Sequence, residues 1–337
     1  MPADTNRRIV MASRPTAYPE PRHFRLEEVP APKPAEGEAL VQVEWLSLDP
    51  YMRGRMREGP SYATPVQVGE VMTGGVVGHV VESRTPELAV GDIVDGSLGW
   101  QEYAVARPGQ LRKVDPGLAP ISTAVGVLGM PGMTAYFGLL DVGQPEVGDT
   151  LVVSAASGAV GQVVGQIGKI MGCRVVGTAG SDDKVDFIVN ELGFDAGVNY
   201  KTQDVPSALA EACPDGIDVY FDNVGGPVTD AVLQLINVHA RISVCGQISQ
   251  YNLPEPELAP RQMGILIQKQ AKMEGFLVFN FAHKHEHARQ RMAEWIRTGQ
   301  LKYREDVVEG LENAPGAFIG MMNGENFGKL LVHVRNY

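Results

Sequence analysis

Residues Leu151 to Lys169 read L-V-V-S-A-A-S-G-A-V-G-Q-V-V-G-Q-I-G-K. An apolar β-type run turns on small residues and continues as a helix that carries Gly158, Gly161, Gly165 and Gly168. That spacing gathers small residues on one helix face, where the backbone can press against a sheet. A strand, a glycine turn and a helix N-terminus together present main-chain N–H groups and a partial positive charge to a pyrophosphate. Gly158, Ala159, Val160 and Gly161 are therefore candidates for a dinucleotide turn. Ala155 stands where the usual pattern has its first glycine, giving A-x-x-G-x-x-G. A tightly packed βα corner without a ligand is the competing reading.

The nucleotide is read at the end of the next strand. An NAD site usually places Asp or Glu there, about twenty residues past the glycines, to accept from the ribose 2′-hydroxyl. Here Arg174-Val-Val-Gly-Thr178 ends in Ala179-Gly180-Ser181, with no carboxylate at the tip. Lys184 follows, within reach of a 2′-phosphate, and a cation among small neighbours suits that dianion. NADP is expected over NAD. The other possibility is that Asp182 and Asp183 fix the ribose and Lys184 is a solvated helix residue.

These residues need a frame, and the chain shows two textures. Up to about Thr123 it is rich in Pro and Gly with short alternating apolar segments, as in Ala39–Trp45 and Gly75–Val81, which predicts a β-rich domain. From Asp149 strands and helices alternate. Strands are expected at Thr150–Ser154, Arg174–Thr178, Ile217–Asp222, Ile242–Cys245 and Met273–Phe279. Helices are expected at Ala159–Met171, Asp182–Leu192, Pro206–Ala212, Pro227–Ile236 and Phe281–Thr298. That order predicts an α/β fold with a doubly wound parallel sheet. The expected division is a substrate domain over 1–125, a Rossmann domain over 126–300 and a C-terminal segment, 301–337, that returns to the first domain. In the tail a helix is expected near Leu311–Met322 and a strand over Gly328–Val334. Ligands of such sheets bind in the loops beyond the carboxyl ends of the strands.

The bulk numbers narrow the class. The chain has 337 residues, 44% hydrophobic and 20% charged, as in a globular protein with a sizeable core. A net charge of −11 argues against nucleic acid or an anionic membrane as partner. Neither an apolar leader nor a membrane-spanning stretch stands out, so a cytoplasmic location is expected. Cys173, Cys213 and Cys245 are too far apart for a structural zinc cluster and odd in number, which points to reduced thiols. His283, His285 and His287 form H-x-H-x-H; with only His283 and His287 expected on a shared helix face, they are read as solvated.

Several further segments stand in order along the chain: Leu48-Asp-Pro-Tyr-Met-Arg53, Gly129-Met-Pro-Gly-Met-Thr-Ala-Tyr-Phe-Gly138, Asp222-Asn-Val-Gly-Gly226, Cys245-Gly-Gln-Ile-Ser-Gln-Tyr-Asn252, Glu274-Gly-Phe-Leu-Val278 and Asn323-Gly-Glu-Asn-Phe-Gly-Lys329. With the glycine run they make the whole chain resemble the zinc-independent medium-chain dehydrogenase/reductases. The resemblance is to the leukotriene 12-hydroxydehydrogenase / prostaglandin reductase / 2-alkenal reductase branch, as a bacterial curcumin-reductase-like member. The resemblance implies a GroES-like domain before the Rossmann domain, NADP(H) as cofactor, and a homodimer, placed here near the edge strand Met273–Phe279. It implies 2′-phosphate contacts from Lys184 and Tyr200, and a ribose or pyrophosphate contact from Asn223. It also implies cofactor contacts from Cys245, Gly246, Ser249 and Asn326, and a nicotinamide-lining segment at Phe276, Leu277 and Val278, whose backbones would carry the contacts.

The chemistry follows from what is missing and what is present. Where a zinc enzyme of this superfamily has its first ligand, this chain reads Asp49–Arg53 with no Cys, and His79 alone does not make a metal site. No zinc is expected. Reduction of the activated C=C bond of an enone or enal then suits the site better than simple alcohol oxidation. Charge develops on the carbonyl oxygen, and a hydroxyl donor stabilises it. Tyr251, among Gly246, Ser249 and Asn252 in a loop after a Rossmann strand, is the candidate donor, and by resemblance the active-site tyrosine, in contact with the cofactor and acting with its ribose 2′-hydroxyl. The alternative is a loop tyrosine that only stacks on the cofactor. Tyr51 is a candidate for the substrate wall. Two rival functions stay open: an NADP-dependent secondary (allylic) alcohol dehydrogenase and a non-catalytic NADPH-binding protein.

Overall fold

The computed structural model describes residues 4–59 and 61–335. The chain forms two compact units, one from Met1–Gly126 with Glu305–Tyr337, the other from Val127–Arg304.

The first unit is built on β-strands. β1 (Thr5–Met11) and β2 (Phe24–Pro30) pair antiparallel. β3 (Ala39–Ser47), β4 (Val76–Ser83), β5 (Ile93–Gly96), β6 (Tyr103–Ala106) and β7 (Leu111–Lys113) form an antiparallel sheet in which β3 pairs with both β4 and β6. Its inward positions, among them Val41, Val43, Leu46, Val77, Val80 and Val94, are fully buried. Helix α1 (Tyr51–Arg55) follows β3 after a short turn.

The second unit opens with α2 (Met130–Phe137), whose early proline satisfies a helix start because its missing N–H would be unpaired there anyway. Then come β8 (Thr150–Val153), α3 (Gly161–Ile170), β9 (Arg174–Ala179), α4 (Asp182–Asp186), β10 (Ala196–Asn199), α5 (Val205–Ala212), β11 (Ile217–Asp222), α6 (Gly226–Leu233), β12 (Ile236–Val244), α7 (Met263–Lys269), β13 (Lys272–Gly275) and α8 (His285–Arg297). Six strands make one parallel sheet in the order β10-β9-β8-β11-β12-β13. β8 is buried at all four positions, as a central parallel strand covered on both faces must be. The strand order reverses between β8 and β11, so the loops after these two strands flank the switch point.

Helix α3 presses on this sheet through its glycines. A Cβ at Gly165 would fall 1.8 Å from the Phe194 ring, and one at Gly168 would fall 2.5 Å from a Leu151 methyl. The same helix binds the end of the unit. Gln162 and Gln166 each exchange two hydrogen bonds with the main chain, Gln166 with Lys302 (2.8 and 2.8 Å) and Gln162 with Arg304 (3.2 and 2.9 Å).

The tail gives β14 (Glu305–Glu309), α9 (Ala314–Met322) and β15 (Lys329–His333). β15 pairs antiparallel with β3 and parallel with β14. A buried ion pair ties it to the loop after β3: Lys329 Nζ donates to the Leu48 carbonyl at 2.7 Å and to Asp49 Oδ1 at 3.0 Å. The Ser47 hydroxyl donates to the other Asp49 oxygen. Glu305 lies half-buried nearby with the Ser122 hydroxyl donating to it at 2.9 Å; desolvation raises its pKa and lowers that of Lys329.

Several expected elements differ. The strand expected to run to Phe279 stops at Gly275, and the next helix begins as a 3-10 stretch, Val278–Lys284, before α8. His283 therefore lies outside α8, while His285 stacks on Phe137 at 5.5 Å and donates to the Val278 carbonyl at 3.1 Å. β12 begins six residues before the expected Ile242, because His239 takes a left-handed φ of 67° and makes a bulge that the pattern hides. The helix expected over Asp182–Leu192 widens to a π-turn at Phe187–Glu191. β10, α2 and α7 add to the elements that the pattern predicts.

The Lys329–Asp49 pair yields a stability prediction. Lys329→Met leaves a buried carboxylate without its cation and lowers unfolding free energy by about 3–5 kcal/mol, whereas Lys329→Met with Asp49→Leu recovers most of that loss. Denaturant midpoints measure both; a single variant within about 1 kcal/mol of the parent refutes the role given to the pair.

Candidate active site

The candidate residues of the second unit lie in loops at the carboxyl ends of the parallel strands. After β8 the chain turns through Ser154–Val160. Ala155 adopts a left-handed φ of 49°, the conformation a glycine would take for free. The Ala156 N–H donates to the Thr178 carbonyl at 2.9 Å and the Gly158 N–H to the Ala155 carbonyl at 3.0 Å, which hold the turn. At Gly161 a Cβ would fall 2.3 Å from the Ala155 carbonyl oxygen and 2.7 Å from the Ala156 Cα, so α3 starts where only bare backbone fits. At Gly158 a Cβ would meet a single atom, the Ala155 oxygen at 3.2 Å. No side chain caps α3. An uncapped helix start beside an open glycine fits the pyrophosphate of a dinucleotide, through Gly158, Ala159, Val160 and Gly161.

At the tip of β9, Gly180 makes room for Tyr200: a Cβ there would fall 2.7 Å from the Tyr200 hydroxyl. Tyr200 follows β10 directly and is 39% exposed, with its phenol pKa raised by burial. Ser181 caps α4, accepting from the Lys184 N–H at 3.4 Å. Gly180 and Tyr200 thus meet at this strand tip, and α4, which carries Lys184, starts beside it. Asp182 sits there too, and its Oδ1 accepts from the Asn199 amide at 2.7 Å.

After β11 the buried Asp222 organises the loop. Its Oδ1 accepts from the Tyr220 hydroxyl (2.9 Å), the Ser154 hydroxyl (3.3 Å) and the N–H groups of Val224 (2.9 Å) and Gly225 (2.8 Å); its Oδ2 accepts from Thr229 at 2.7 Å. Asn223 is clamped to β8, its N–H on the Ser154 hydroxyl (2.9 Å) and its amide on the Ser154 carbonyl (2.7 Å). Sequence reasoning assigned Asn223 and missed Asp222 and Ser154. The available signal was an acid at a strand end followed by Asn and two glycines, the composition of an Asx-type turn.

The loop after β12 is stitched to this one. Cys245 and Gly246 donate to the Asp222 carbonyl at 2.8 and 3.1 Å, and the Ser249 hydroxyl donates to Val224 at 2.6 Å. The Tyr251 ring folds back over its own loop. Its hydroxyl accepts from the Gln247 N–H at 3.2 Å, and a Cβ on Gly246 would fall 3.0 Å from that oxygen. After β13 the Phe276 ring turns inward, edge-on to Phe221 at 6.2 Å and against Gly138, where a Cβ would meet it at 2.3 Å. Leu277 is 37% exposed and Val278 is buried.

The first unit carries the remaining candidates. Tyr51 opens α1, half-buried, with its phenol pKa pushed well up by burial and then by Asp49. Asn326 donates to the Gly328 carbonyl at 3.0 Å in the loop before β15. His79 is bonded through Nε2 to Glu44 at 2.8 Å, a paired histidine on the sheet. Among the described residues no group of three His, Cys, Asp or Glu side chains is arranged to hold a metal ion.

Known proteins place this architecture. A family model for the N-terminal domain of oxidoreductases matches residues 7–114, and one described as zinc-binding dehydrogenase matches residues 159–297. The chain is 48% identical to the NADPH-dependent curcumin reductase of Escherichia coli, covering 98% of this chain and 97% of that one. It is 45% identical to the NADP(+)-dependent 2-alkenal reductase of Nicotiana tabacum, covering 98% of each. The crystal structure of CurA from Vibrio vulnificus in complex with NADPH superposes with a TM-score of 0.94 at 48% identity, over 98% of this chain and 100% of that one. The chain belongs to the medium-chain dehydrogenase/reductase family, in the zinc-independent branch of the curcumin, 2-alkenal and prostaglandin reductases.

Proposed function

We infer that the protein is an NADPH-dependent reductase of the C=C bond of α,β-unsaturated ketones and aldehydes. The observation that carries this is near-full-length identity of 48% and 45% to reductases named for such substrates, in a chain whose strand-tip loops suit NADPH. When bound, the reduced nicotinamide supplies the hydride.

The chain's own residues do the rest. The turn Gly158–Gly161, at a helix start that no side chain caps, is assigned to the pyrophosphate. Lys184 and Tyr200 are assigned to the 2′-phosphate, and Asn223, clamped by Ser154, to the ribose or pyrophosphate. With the Phe276 ring turned inward, the main chain of Phe276, Leu277 and Val278 is assigned to the nicotinamide. Cys245, Gly246, Ser249 and Asn326 are assigned to the cofactor as well, and Tyr51 to the substrate.

Tyr251 is assigned as the donor to the substrate carbonyl. Negative charge gathers on that oxygen as the β-carbon is reduced, and a fixed hydroxyl stabilises the enolate before the α-carbon takes a proton. The Tyr251 oxygen accepts a main-chain N–H, which polarises its own O–H toward donation.

The location assigned is the cytoplasm, where three unpaired cysteines stay reduced. Burial pushes the thiols of Cys173 and Cys213 up to about 11 and that of Cys245 to about 12, so they stay protonated at neutral pH. The state assigned is a homodimer. β13 ends the parallel sheet, and Met263, Ile267 and Phe279 around it are 66%, 81% and 66% exposed, an apolar edge of the kind that pairs with a second copy.

Two measurements test these assignments. The enzyme consumes NADPH with an enone and does not reduce NADP+ with the allylic alcohol, and Tyr251→Phe lowers kcat on the enone about 100-fold with NADPH affinity little changed; unchanged turnover refutes the role of Tyr251. Light scattering gives twice the mass of the 36.3 kDa chain, and a mass of one chain refutes the dimer.

A further inference from the structure

The cluster at the tip of β9 holds an acid as well as a cation. Asp182 lies two residues past Gly180 and two before Lys184, at the start of α4, near enough to the strand tip to be the acid that would favour NAD by binding the ribose 2′-hydroxyl. One of its two oxygens is already engaged. Its Oδ1 accepts from Asn199 Nδ2 at 2.7 Å. Asn199 is 4% exposed and ends β10, where it pairs with Ala179 of β9. The orientation of its amide is fixed by a second bond, because Oδ1 accepts from the Lys201 N–H at 3.1 Å, which leaves Nδ2 as the group aimed at Asp182. The Asn199 N–H in turn donates to Gln203 at 2.7 Å.

We propose that Asn199 is a positioning residue for nucleotide choice: it holds the Asp182 carboxylate toward the end of β10, so that this acid is not directed at the ribose 2′ position assigned to Lys184 and Tyr200. The inference rests on the assignment of this strand tip to the 2′ end of NADPH. Without that bond the exposed Asp182 carboxylate is free to swing toward the ribose, where its charge favours NAD and repels NADP.

The test measures dissociation constants of NADP+ and NAD+ by calorimetry on the full-length protein, with thermal midpoints alongside. Asn199→Ala lowers the ratio of NAD+ to NADP+ dissociation constants about tenfold, and Asn199→Ala with Asp182→Ala restores it to within about threefold of the parent. Asn199→Ser, which keeps an acceptor for the Lys201 N–H, takes its place if the alanine variant does not fold. Loss of a merely structural contact weakens both nucleotides together and leaves the ratio alone. A ratio unmoved in the single variant, or lost and not regained in the double, overturns the inference. Equal affinity of the parent protein for the two nucleotides overturns the underlying assignment, and this inference with it.

Discussion

The contact on which the second unit depends is the close approach of α3 to the sheet. Gly161, Gly165 and Gly168 each stand where a single methyl would overlap Ala155, Phe194 or Leu151. β9 answers from its own side, since a Cβ on Gly177 would fall 2.6 Å from Ala156 and from Ile188. Interiors packed this tightly do not slide, so the helix start is set by the strand beneath it rather than by the loop that joins them. The turn Ser154–Val160 inherits that position. Ser154 passes it on, through its hydroxyl and carbonyl, to Asn223 of the next loop, and Asp222 with five donors fixes that loop in turn. Gln162 and Gln166 use the same rigid helix to anchor residues 302 and 304.

A site assembled from strand-tip loops needs such an origin. Loops have few packed neighbours of their own, and here they are made stiff by being bonded to one another at the switch point. The loop after β12 donates Cys245, Gly246, Ile248 and Ser249 to carbonyls of residues 222–224. Tyr251 then sits on a loop referenced to Asp222, which is referenced to β8. Positioning of this kind, paid in folding, is what lets a hydroxyl act without reorganising when charge develops.

Much of this was legible in the sequence, and the reasons are specific. The central strands β8 and β11 and the tightly packed helix α3 are set by apolar runs and glycine spacing, both local signals. The fold class and family followed from motifs distributed in order along the chain. What escaped was set by tertiary contact. The bulge at His239 depends on its fit to β11, and no local pattern marks it. The strand end at Gly275 reflects the Phe276 ring turning into the gap left by Gly138, far away in sequence. At the nucleotide end the sequence offered Lys184 and Asp182 as competing choices, and the bond that Asn199 makes to Asp182 from a neighbouring strand is a tertiary contact with no local signal.

Ala155 shows where the constraint in the dinucleotide turn lies. A non-glycine residue in the left-handed region costs on the order of 1–2 kcal/mol, and the chain carries that cost at φ 49°. It persists because the Ala156 N–H must reach Thr178 on β9 and the Ala155 carbonyl must accept from Gly158. Gly161 has no such latitude: the obstacle there is backbone at 2.3 Å, which no rotamer relieves. A left-handed φ is a conformational preference and can be overridden by surrounding bonds, whereas an overlap of atoms cannot. The first glycine of the pattern is thus replaceable here and the last, Gly161, is not, which is why the motif survives as A-x-x-G-x-x-G with its geometry intact.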